Sequence, residues 1–391
     1  MTIQVVLGGE NTAIDRDVFV ALLDNSVVCH LADYTKALES GRIKFDKLVE
    51  LTRKAEVPYP LLFAPLPVVE AQLAGKTQKL LQGVAKEQFS MNARGSVELR
   101  DVELIVKDLL RKQELYKRHA HRLPKKNPLV GCITRPATAE QHAATIWNVL
   151  QLSGEELRAQ KTKQGGVDLF IERLEGTHVL VARSVRGYMP QTLDKVQFSG
   201  MTIRDPKVPY IFMAGGNHGE DEDPTGRQLF TLALFSVMIG RKVFRAVTMD
   251  TTSLMDAPPT EYGIAAEMLM PAALIRVMDL SSVEAIGTAA DVLKVTPSAV
   301  VVRAHNLKLM SWEVAGGHLR DLGDAFRAKP KSPARSPLPV NAVRKYNGAR
   351  FTRTMLTAVD QDQISVGEFC RVVGSRKIGS DDLEALRQAT K

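Results

Sequence analysis

Eleven residues near the middle of the chain, Leu229–Ile239, constrain its fold more than any other stretch. Nine of them are apolar, Thr231 and Ser236 being the exceptions. The run begins just after Gly226 and stops at Gly240, with Arg241 and Lys242 following where a helix dipole is negative. A helix apolar on every face has no side for water, so other elements must enclose it. The flanking segments supply them. His178–Ala182 and Val208–Ala214 read as strands, and helices are predicted at Glu261–Met270, Val283–Leu293 and Pro297–Leu307. Short strands followed by packed helices predict an α+β domain.

Residues 1–128 read as an all-helical N-terminal domain, with helical periodicity in Val18–Leu23, Phe45–Leu51 and Val97–Tyr116. Proline clusters break it at Pro58 and Pro60 and again at Pro65 and Pro67. The basic stretch Arg118–Asn127, closed by Pro128, reads as an inter-domain connector. Residues 129–326 hold the α+β domain with a small mixed sheet. Residues 327–340 carry Pro330, Pro333, Pro337 and Pro339 among Lys, Arg and Ser, the composition of an extended linker. Residues 341–391 form a helical C-terminal appendage. The predicted class is therefore α+β and predominantly helical.

The 391 residues are 45% hydrophobic and 25% charged, ordinary for a globular chain. No basic segment leads into an apolar run at Met1–Gln4, and no apolar stretch approaches the roughly 20 residues of a membrane span. Cys29, Cys132 and Cys370 are too scattered for a disulfide framework or a metal site. These features predict a cytoplasmic protein with reduced thiols, no membrane partner and no cofactor.

The net charge of +8 is unevenly spread. Lys107–Lys126 holds eight Lys/Arg against two acids, and Ala325–Val359 holds eight with no acid. Arg111, Lys112, Lys117, Arg118, Arg122, Lys125, Lys126, Arg303, Arg344 and Lys345 are the candidate contacts to a polyanion, either DNA or RNA or an acidic protein. The plainer reading is a solvated helix face and a basic linker. Aromatic residues, at 6%, are too sparse for the interleaving that stacks single-stranded bases.

Three segments, in order, resemble the ImmA/IrrE metallopeptidase family: Gly226–Ala233, then Ala265-Ala266-Glu267-Met268-Leu269-Met270-Pro271, then Ala290–Leu307 with Val295-Thr296-Pro297-Ser298-Ala299 and Arg303. Together they span roughly Ile171–Met310 and imply a zincin-like domain. A fainter similarity, Glu39-Ser40-Gly41 through Val57–Phe63, resembles the tail of an Xre-type helix-turn-helix.

That family places two histidines four apart on one helix, both reaching one zinc, with a glutamate beside the first as general base. The corresponding positions here are Leu234, Phe235 and Met238. Leucine and phenylalanine carry no donor atom, and a thioether suits soft ions rather than zinc. The third ligand position aligns with Thr260, and Glu261, one place on, faces another side of the helix. The resemblance thus implies a pseudopeptidase that binds a protein partner, such as an Xre-type regulator of a phage, plasmid or defence module, without cutting it.

Two alternatives stand beside this reading. A nucleic-acid-binding regulator would use the basic blocks and the helix-turn-helix-like segments Ala290–Leu307 and Ile364–Leu386. A metallopeptidase with unconventional ligands would draw on His218, Glu220, Asp221 and Glu261, although a solvated acidic loop accounts for the first three. The other histidines read as core or surface residues. Oligomeric state is not legible in the sequence.

Overall fold

The computed structural model describes residues 2–24, 26–81, 99–193, 198–217, 221–248, 260–328, 337–374 and 377–390. Internal contacts divide the chain into two units, Met1–Arg111 and Lys112–Lys391.

The first unit contains a sheet, which corrects the expectation of an all-helical N-terminal domain. Strands β1 (Thr2–Leu7) and β2 (Glu10–Asp15) form an antiparallel hairpin, followed by helices α1 (Arg16–Leu23) and α2 (Ala32–Ser40). β3 (Arg42–Lys44) then adds in parallel to β1, giving the order β2-β1-β3. Gly8 and Gly9, both at positive φ (58° and 94°), make the two-residue turn that suits the twist of a hairpin. In β1, Ile3 and Val5 point inward and are buried. They pack with Val18, Phe19 and Leu22 of α1 and with Leu48 and Leu51 of α3 (Phe45–Lys54). The strands are short and two of them are largely exposed, so they leave no strong alternation in the sequence. Helix α4 (Leu66–Leu81) follows.

Helix α5 (Leu99–His119) carries the chain across the division between the units. The second unit continues with α6 (Ala139–Leu150), α7 (Gly154–Arg158) and α8 (Lys163–Gly176). Strands β4 (Leu180–Arg183), β5 (Phe198–Ile203) and β6 (Tyr210–Met213) follow, then the two-residue strands β7 (Gly216–Asn217) and β8 (Asp221–Glu222). After α9 (Thr225–Gly240) and β9 (Ala246–Thr248) come α10 (Thr260–Leu269), α11 (Ala272–Ile275), α12 (Val283–Val292), α13 (Pro297–Asn306) and α14 (Trp312–Ala328). The C-terminal helices are α15 (Pro339–Asn347), α16 (Ala349–Asp360), α17 (Val366–Val372) and α18 (Leu383–Ala389). The chain is therefore α+β and mostly helical.

The main sheet has the order β4-β6-β5-β9 and is mixed: β4 pairs with β6 in parallel, while β5 is antiparallel to both its neighbours. Helix α9 lies against β5 and β6 and is flanked by α6, α8 and α10. All of Thr231–Gly240 is buried, as the composition of the run requires. Gly200 in β5, at φ 145°, is needed where the sheet passes beneath α9. A Cβ there would strike the Phe212 carbonyl oxygen and come within 3.0 Å of the Phe235 ring.

The C-terminal helices are integral to this unit. Helix α15 packs beside β4, and the buried Tyr210, Tyr346, Asn347 and Phe351 join the layers. Within 327–340, residues 329–336 lie outside the described residues. Among the described residues, no single helix is long and apolar enough to cross a membrane.

Candidate functional site

The three segments singled out in the sequence come together around α9. A Cβ on Gly226 would meet the backbone of Val295 at 2.5 Å, so the first turn of α9 sits directly on the α12–α13 turn. Arg303 of α13 reaches back to the C-terminal end of α10, where its Nε donates to the Met270 carbonyl (3.0 Å) and its guanidinium pairs with Glu267. Glu267 also accepts the Ala272 N–H (3.1 Å), closing the turn into α11.

At the centre of this arrangement, Leu234, Phe235 and Met238 are 3%, 0% and 1% exposed, packed in the main core. Ser236, also buried, donates to the Leu232 carbonyl (2.8 Å) and faces no base. Thr260 is exposed at the start of α10, so it does not share a pocket with the three apolar side chains. Glu261 is nearly buried and lies 3.4 Å from Arg241 at the end of α9, where it neutralises a cation. His218 and Glu220 lie outside the described residues, and Asp221 is described by its backbone alone, in β8. No group of three or more His, Cys, Asp or Glu able to hold a metal occurs among the described residues. Burial pushes the Cys132 thiol up to about 11, the opposite of a reactive thiolate.

The ten candidate polyanion contacts separate into two groups. Lys112 is fully buried with its ammonium 4.0 Å above the Tyr346 ring, and Arg303 is spent on Glu267, so neither is a surface cation. This corrects their assignment. Lys117 is tied to Glu114 (2.5 Å) and Asp205 (2.8 Å). Arg111 belongs to the first unit and stands 3.8 Å from Glu56. Lys345 is half-buried. Arg118, Arg122, Lys125, Lys126 and Arg344 are exposed.

A buried polar cluster, unmarked in the sequence, lies where α5, α8 and α16 meet. The Tyr116 hydroxyl accepts from Arg350 Nε (3.0 Å) and bonds His178 Nδ1 (2.8 Å). Burial, then the Arg350 charge, lower the His178 pKa, which favours a neutral ring accepting the tyrosine proton. Glu175 Oε2 accepts the Arg350 backbone N–H (2.9 Å), while Oε1 has no hydrogen-bond partner. Burial raises Glu175 to about 7 despite Arg350, Arg183 and Arg353 nearby. The lone signal in the sequence was a glutamate inside an otherwise apolar helical face, too common to single out.

No protein-family model matches this chain, and no curated protein or solved structure matches it.

Proposed function

We propose that the chain is a non-catalytic binding protein, a pseudopeptidase on an ImmA/IrrE-like frame that engages a repressor-type protein partner without cleaving it. The observation that carries this reading is the burial of Leu234, Phe235 and Met238 at the positions where a peptidase of that kind needs two ligands and a base. No donor atom faces a cleft from these three positions. The packing of Gly226 on Val295, and of Arg303 on Glu267 and Met270, keeps the frame around the lost site rigid. Retaining a frame while filling its centre suits a protein that works by its surface.

Elemental analysis of protein purified without chelator or nickel tests the first half. Less than about a tenth of an equivalent of zinc, manganese or iron is expected. A full equivalent would overturn the reading and return the acidic loop and Glu261 to the centre. Titration against Xre-type repressors tests the second half: saturable binding with the repressor left intact is expected, and cleavage would sink the proposal.

A further inference from the structure

Three separate stretches of the second unit, each carrying at least one exposed cation, are tied to one another or to the elements between them by hydrogen bonds. The first is the last turn of α5 and the connector after it, where Arg118, Arg122, Lys125 and Lys126 are exposed. It is not a free linker. Asn127 is 1% exposed and donates through Nδ2 to the carbonyls of Thr177 (2.7 Å) and Lys207 (3.1 Å). Its Oδ1 accepts the Leu129 N–H (3.0 Å), and its own N–H donates to the Pro206 carbonyl (2.8 Å). These bonds seat Lys126 beside the exposed Lys207 of the β5–β6 turn.

The third stretch follows α9. The N–H groups of Gly131 and Ile133 donate to the carbonyls of Ile239 (3.2 Å) and Gly240 (3.1 Å). Gly131, at φ 77°, leaves room for the Lys242 side chain, which a Cβ there would meet at 2.5 Å. Residues 118–135, 204–207 and 241–245 together carry ten Lys/Arg and one acid, Asp205. Asp205 is consumed: it pairs with Lys117 and accepts the N–H groups of Lys207 (2.7 Å) and Val208 (2.8 Å). Arg118, Arg122, Lys125, Lys126, Lys207 and Lys242 have no ion-pair partner among the described residues.

We infer that this surface, centred on Lys125, Lys126, Lys207 and Lys242, docks the phosphate backbone of duplex nucleic acid. The surroundings decide the class of partner. None of the exposed large hydrophobic residues falls in these three stretches. A protein interface draws its affinity from buried aromatic and aliphatic anchors, which are missing here. Single-stranded nucleic acid needs aromatic platforms for its bases, and none is exposed on this surface. A duplex backbone needs only cations at fixed positions, bound through release of condensed counterions and without base readout. Asn127 and Gly131 hold the cations in place before binding, which reduces the ordering cost. The inference is independent of the pseudopeptidase reading.

The test uses the full chain and a fluorescent duplex of arbitrary sequence, about 20 base pairs long, followed by anisotropy between 50 and 200 mM salt. Six contacts predict a slope of log K against log salt of about −5. The triple variant K125E/K126E/K207E is expected to lose at least tenfold in affinity and to flatten the slope by about three. K207Q alone should flatten it by about one. K308E/R320E, on exposed residues just after α13 and within α14, should change neither. Circular dichroism confirms that the variants fold. A flat salt dependence, a triple variant indistinguishable from K308E/R320E, or tighter binding to a single strand or to polyglutamate would each overturn the inference.

Discussion

Glu175 holds the start of α16 by accepting the Arg350 backbone N–H at 2.9 Å, from a position in α8 that is almost wholly out of solvent. The N-terminal end of a helix favours a negative charge, but burial opposes it, and burial wins. The carboxyl titrates at about 7 rather than at its ordinary 4.5. Arg183 of β4 and Arg350 and Arg353 of α16 are the cations around it, and Tyr116 of α5 lies within its field.

A pH dependence follows. Between pH 4.5 and about 7 the folded state holds a proton on Glu175 that the unfolded chain has released. Stability from this group is therefore full below pH 4.5 and is lost as pH rises through about 7, on the order of 3 kcal/mol. Glu175→Gln keeps an acceptor for Arg350 and removes the titration. Urea denaturation should show E175Q at least as stable as the parent at pH 8, with a shallower fall in stability from pH 5 to pH 7. Parallel curves would refute this.

Gly348 lies directly beside that carboxyl. At φ 82° and ψ 153° it ends α15 and caps α16, a conformation nearly restricted to glycine. A Cβ there would strike Glu175 Oε1 and meet the Val181 carbonyl oxygen at 2.7 Å. G348A is expected to cost about 3 kcal/mol or more, read as a lowered thermal midpoint, whereas G379A, with open space and an ordinary φ, should be near neutral.

Arg303 separates stability from binding. R303A leaves the partly buried Glu267 without its cation and the Met270 carbonyl without its donor. A loss of about 3–5 kcal/mol in unfolding free energy is expected. Duplex affinity of the folded fraction should not change. A loss of affinity without a loss of stability would put Arg303 back on the binding surface.

Asn127 should do both. N127A leaves the Leu129 N–H and the carbonyls of Thr177 and Lys207 without their side-chain partner. A cost of about 2–4 kcal/mol is expected, together with weaker duplex binding as Lys126 loses its fixed place beside Lys207.

Installing a His-Glu-x-x-His motif on α9 should fail. M238H and F235E each put a polar group among the side chains around α9, where Met238 and Phe235 are buried. Each should cost several kcal/mol, since no partner awaits the new group. Zinc uptake by a folded L234H/M238H double variant, measured by elemental analysis, would show that the core opens more readily than its packing implies.

Much of the second unit was legible from periodicity. The apolar run Leu229–Ile239 lies within α9, Thr225–Gly240, and the helices read from Val283 and Pro297 are α12 and α13, within one residue at their ends. The strand-like run Val208–Ala214 contains β6, and His178–Ala182 covers β4 except for its last residue, Arg183. Such features survive in one dimension because a face repeats locally. The β1–β2 hairpin was missed because β2 is mostly exposed, leaving the Gly8-Gly9 turn as its main trace. Among the candidate contacts, Lys112 and Arg303 were misplaced because charge alone does not reveal a ring or a carboxylate brought near by the fold.

By itself the sequence determined that α9 must be enclosed, that no donor atoms stand at Leu234 and Phe235, and that the cations run in blocks. Composition and local spacing suffice for each of these. Tertiary structure alone decided which cations are usable. Arg303 meets a glutamate 36 positions away, and Asn127 reaches the carbonyl of Lys207 80 positions on, so that Lys126 and Lys207 share a surface. Desolvation and pairing depend on what the folded chain brings within a few ångströms, and no local pattern encodes that distance.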